Sequence, residues 1–115
     1  MDDMRTRFDN ETWIIEAGAD VINRKHSHGA GALTPLDRLI YCLWVADYGM
    51  RNAGDLDTAL DLYANFQSEA AQIAKQLSLQ ATCEAFELPS DDLQQQYFER
   101  FDEICDEIKS RLSTG

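Results

Sequence analysis

Residues 91–112 read as one long amphipathic helix, and no other stretch of the 115-residue chain constrains the fold as strongly. At ~100° per residue, Leu93, Tyr97, Phe98, Phe101, Ile104, Cys105, Ile108 and Leu112 share one arc. Asp92, Glu99, Asp102, Glu103, Asp106 and Glu107 fall on the opposite arc. The first arc needs a core to lie on, and the second is a stripe of carboxylates. Further helices are expected at 10–24, 35–53 and 56–78, with a short one near 82–87. Thr34-Pro35-Leu36-Asp37 supplies an N-cap, a proline at the first helical position and an acid two residues later. Ser90-Asp91-Asp92 behind Pro89 repeats that logic, and Asn10 before Glu11 suggests a cap for the first helix. The third helix is expected to break at 65–68, where Ser68 would cap a second piece. Nothing alternates at period two for long enough to make a strand. The chain therefore reads as all-α: a single compact helical domain spanning 1–115, built of four to six helices and closed by the long amphipathic one.

The formal charge is −11; two segments together carry −12 and the rest of the chain nets +1. Residues 47–69 carry five acids against Arg51, and residues 84–108 carry nine against Arg100. Such a chain is repelled by nucleic acid and by anionic membranes, because the phosphate attraction that drives that binding changes sign. It is drawn to basic partner surfaces, although solubility alone also favours an acidic surface. Cys42, Cys83 and Cys105 are an odd set without a CxxC spacing, which suits reduced thiols; Cys42 and Cys105 are expected to be buried as small hydrophobes. Met1-Asp2-Asp3-Met4 opens without an apolar segment, and no run approaches ~18 apolar residues, so a soluble cytoplasmic protein is expected.

Helix 35–53 is apolar nearly all round, as a central helix would be. Asp47 falls among Leu36, Ile40 and Leu43, where a carboxylate needs a cation or several donors. Arg51, one turn on, is the nearest cation; capping the helix opened by Asp55 is the alternative. Asn52-Ala53-Gly54-Asp55 reads as a turn, with Gly54 left-handed and Asp55 or Asp57 capping the next helix. The Gly-rich segment 25–33 lacks the spacing of a phosphate loop. His26 and His28 within it leave a metal conceivable, but solvated side chains are the plainer reading and no cofactor is expected.

Leu33-Thr34-Pro35, Arg38, Tyr41 and Trp44, followed by an acid and Arg51-Asn52-Ala53-Gly54, resembles the pattern of the bacterial DNA-mimic domain family over roughly residues 33–79. In that family a Pro-led helix with an aromatic pair precedes an acid and an Asn-Gly-Gly-Phe turn. Here Ala53 and Asp55 alter the turn, and its spacing from Trp44 is longer. The resemblance implies a small acidic all-α protein that presents carboxylates in place of DNA phosphates to a DNA-binding protein. It also implies that Pro35, Tyr41, Trp44, Asp47, Arg51, Asn52 and Gly54 are mainly structural.

These readings support three functional classes. An acidic interaction module, a DNA mimic or an inhibitor or immunity-like protein, would bind a basic protein partner through Asp92, Glu99, Asp102, Glu103, Asp106 and Glu107. A Mg²⁺-dependent all-α hydrolase would use Glu99-x-x-Asp102 and Glu103-x-x-Asp106 against Asp57 and Asp61, although that second pair is spaced one residue too far. No Ser/His/Asp set, Cys/His pair or HExxH is present. A scaffold or oligomerisation domain would use surplus aromatics in a homodimer interface, with Tyr97 and Phe98 as candidates.

Overall fold

The computed structural model describes residues 2–114, with side chains for 10–29 and 31–112. The opening Met1-Asp2-Asp3-Met4, which bears on targeting, lies outside the described side chains. The order is α1 (Asp2–His28), a 3₁₀ turn (Ala30–Ala32), α2 (Pro35–Ala53), α3 (Asp57–Leu62), α4 (Phe66–Gln76), α5 (Gln80–Phe86) and α6 (Ser90–Thr114), with no strand among the described residues. The all-α reading is thus correct. The radius of gyration is 13.3 Å, about what a folded chain of this length should have. No described helix is long and apolar enough to cross a membrane.

The centre is α2, which packs against α1, α3, α4 and α6, while α5 bridges α4 and α6. Leu39, Cys42, Leu43, Val45 and Ala46 of α2 are fully buried, as its all-round apolar character requires. Its N-terminus is the expected one: the Asp37 amide donates to Thr34 Oγ1 at 3.1 Å and the Thr34 amide donates back to Asp37 at 3.0 Å. Gly54 ends α2 at φ +76°, its amide donating to the Met50 carbonyl at 3.0 Å. Asp55 then accepts from the Asp57 amide at 3.1 Å. Gly49 lets α3 approach: a Cβ there would lie 3.0 Å from the Ala59 amide nitrogen and from the Asp55 carbonyl oxygen.

Four expectations change. Asn10 caps nothing; it is buried inside α1, which starts at Asp2. The 56–78 helix divides at Tyr63–Asn65, earlier than expected, and Ser68 lies within α4, its hydroxyl donating to the Asn65 carbonyl. Tertiary contacts set that break. Phe66 is wholly buried, and Gln67 donates to the carbonyls of Phe86 and Leu88, which turns α4 toward α5. On α6, Leu93, Tyr97, Phe101, Ile104, Cys105 and Ile108 are buried as expected, but Phe98 and Leu112 are 47% and 45% exposed. Tyr97 is fully buried, which removes it from any interface.

Candidate functional site

The carboxylate stripe of α6 separates into two sets. Asp92, Glu99, Glu103 and Asp106 are exposed and form no hydrogen bond or ion pair among the described residues. Asp102 and Glu107 are half-buried and engaged. Asp102 accepts from Asn10 Nδ2 at 2.9 Å, and Asn10 Oδ1 accepts from Lys109 Nζ. Glu107 accepts from the Ala81 and Thr82 amides at 2.8 Å each and from the Thr82 hydroxyl at 2.7 Å. Leu79, at the N-cap of α5, has no side-chain acceptor, so Glu107 does the capping from another helix. Glu107 is thus occupied by α5 and Asp102 is tied to α1, unlike the four exposed acids of the stripe.

Asp47 is 4% exposed and sits in a polar network inside the packing of α1, α2 and α6. Arg51 Nε donates to both of its oxygens at 2.9 and 3.0 Å, and the Tyr97 hydroxyl donates to Oδ1 at 2.7 Å. Arg51 also donates to Glu11 at 2.9 Å and lies 4.8 Å from the Phe101 ring centre and 5.1 Å from that of Phe98. Burial pushes the Asp47 carboxyl above its ordinary range, with Tyr97 and Arg51 opposing the rise. Burial beside that carboxylate holds the Tyr97 hydroxyl far above its ordinary range. The Arg51 partnership follows from spacing; Tyr97 and Glu11 had no local signal.

A second polar knot, unread in the sequence, gathers on Glu69. It accepts from the Tyr63 hydroxyl, from Arg38 at 3.2 Å, and weakly from the Cys42 thiol at 3.8 Å. The bond to Glu69 raises the Tyr63 hydroxyl to about 12. Burial pushes the Cys42 thiol up, so it behaves as a small hydrophobe and not as a nucleophile. Lys25, Leu33, Arg38, Tyr41, Tyr63 and Glu69 enclose a cleft of only about 110 Å³.

The motif residues of the resemblance have mixed roles. Pro35 opens α2, Gly54 closes it, and Asn52 Nδ2 donates to the Tyr48 carbonyl at 2.8 Å. Tyr41 and Trp44 are not core residues; they are half-buried and stack on each other at 6.1 Å on the outer side of α2. His26, His28, Asp57 and Asp61 are exposed, and no group of three His, Cys, Asp or Glu able to hold a metal ion occurs among the described residues. Comparison with family models, curated proteins and solved structures gives no match.

Proposed function

We propose that the protein is a binding module whose α6 carboxylates cover a basic surface of a protein partner, as a DNA mimic or an inhibitor does. The observation that carries this reading is that Asp92, Glu99, Glu103 and Asp106 are exposed and unpaired among the described residues, on a helix whose opposite face is held in the core. Glu99 and Glu103 stand one helical turn apart, ~6 Å along the axis, and Asp106 continues the row. A rigid row of anions attracts Lys and Arg clusters and loses that attraction as salt rises. The hydrolase reading has less support, because among the described residues no three His, Cys, Asp or Glu side chains gather where they could hold a metal ion.

The test compares two charge reversals of equal size. Glu103→Lys/Asp106→Lys alters the α6 row, while Asp57→Lys/Asp61→Lys alters exposed acids of α3. Each is coupled to beads and exposed to native lysate at low salt, beside the wild type. A basic protein retained by the wild type and by the α3 variant, lost from the α6 variant and released by salt, is the expected result. Equal retention by all three, or equal loss from both variants, refutes a specific α6 site.

A further inference from the structure

The outer side of α1 and α2 carries a continuous aromatic strip. Tyr63 packs on Tyr41 at 5.6 Å, Tyr41 on Trp44 at 6.1 Å and Trp44 on Tyr48 at 5.6 Å. Gly18 on α1 makes room for the middle of it: a Cβ there would fall 2.3 Å from Trp44 Cδ1. Open clefts join its parts. One, lined by Ile22, Lys25, His26, Tyr41, Trp44 and Leu62, flanks one end. The next holds Ile15, Trp44, Tyr48 and Arg51, and the last runs from Arg51 to Phe98 and Glu99. Of the six large hydrophobics exposed among the described residues, Ile15, Tyr48, Leu62 and Phe98 lie on this strip. From Arg38 to Arg51 it follows α2 for thirteen residue steps, ~20 Å. Tyr, Trp and Arg around exposed apolar side chains are the residues that dominate protein interfaces.

The strip is also polar end to end. Its Arg51 end carries the exposed carboxylate of Glu99 and the half-buried one of Glu11 beside one guanidinium, with Asp47 buried beneath it. Its other end carries Lys25 and Arg38 against Glu69. A surface that is negative at one end, positive at the other and aromatic between is complementary to itself turned by 180°. We propose that a second copy of this chain covers the strip, in a two-fold dimer with the strips antiparallel, Trp44 and Tyr48 near the axis, and Lys25 of each copy facing Glu99 of the other. A two-fold interface repeats each contact, so both charged ends are satisfied by one arrangement.

Sedimentation velocity across micromolar to near-millimolar protein tests the proposal, with circular dichroism confirming that each variant folds. The wild type is expected to dimerise, and Ile15→Glu, at a side chain that is 56% exposed, to weaken dimerisation at least tenfold. Lys25→Glu and Glu99→Lys are each expected to be monomeric, because each places like charges at both ends of the interface. An equimolar mixture of those two variants, and the double variant in one chain, should both dimerise again. A wild type that stays monomeric at every concentration leaves the strip to some other protein and overturns the proposal. So does a dimer indifferent to Ile15→Glu, or single variants whose mixture remains monomeric.

Discussion

Glu103 and Glu107 are one turn apart on the same helix, in the same acidic run, and do opposite work. Glu103 is exposed with no bonded partner among the described residues, whereas Glu107 turns under α5 and takes three donors from it. Asp47 extends the contrast to a carboxylate held almost entirely away from water by Arg51 and Tyr97. In a strongly acidic protein, then, the charge count says little about function. What matters is which carboxylates still have lone pairs to offer, and on α6 that is the outward edge.

The contrast is most exposed to challenge at Asp47. Asp47→Ala leaves the Tyr97 hydroxyl without its acceptor and Arg51 with only Glu11, and should cost about 3 kcal/mol in urea unfolding. A loss below about 1 kcal/mol would mean that the network is replaced by water without penalty. Glu107→Ala strips the first turn of α5 of its acceptors. It should cost about 1–2 kcal/mol by thermal or chemical unfolding, with amide exchange at Ala81 and Thr82 accelerated first.

Acid titration separates the buried carboxylate from the open ones in a second way. Asp47 titrates above its ordinary value of 3.8 in the folded state because burial disfavours its charge. The native protein therefore holds that proton more tightly than the unfolded chain. The resulting stabilisation is complete below the ordinary value and is lost as pH rises through the raised one. The stability of the wild type relative to Asp47→Asn should accordingly decline as pH climbs from 3.8 across that window; a relative stability that rises there refutes the assignment. The smallest effects belong to the outer row. Glu103→Gln and Asp106→Gln, both away from the proposed dimer face, should each change stability by no more than about 0.5 kcal/mol. A loss above about 1 kcal/mol at either would reveal a structural partner and remove that residue from the proposed binding surface.

What could be read from the chain was whatever is settled within a turn or two of helix. The Thr34–Asp37 capping box, the Gly54 stop, the Asp47–Arg51 pair and the buried side of α6 all depend on residues three or four apart, or on one helical period. The all-α class follows from the same local rules. What the chain left unread, from the places of Asn10 and Ser68 to the partners of Tyr97, Asp102 and Glu107, has one physical source. The Asn10–Asp102 bond joins residues 92 apart, Tyr97 reaches Asp47 across 50, and Glu107 reaches Thr82 across 25. A helical period states which way a side chain points; it does not state whether water or another helix waits there. Local chemistry along the chain is enough for the helices, most of their caps and the existence of an acidic face. Which of those acids are sequestered and which remain open to water was settled by the packing of α1, α5 and α6, because a carboxylate's role is set by the donors that distant segments bring to it.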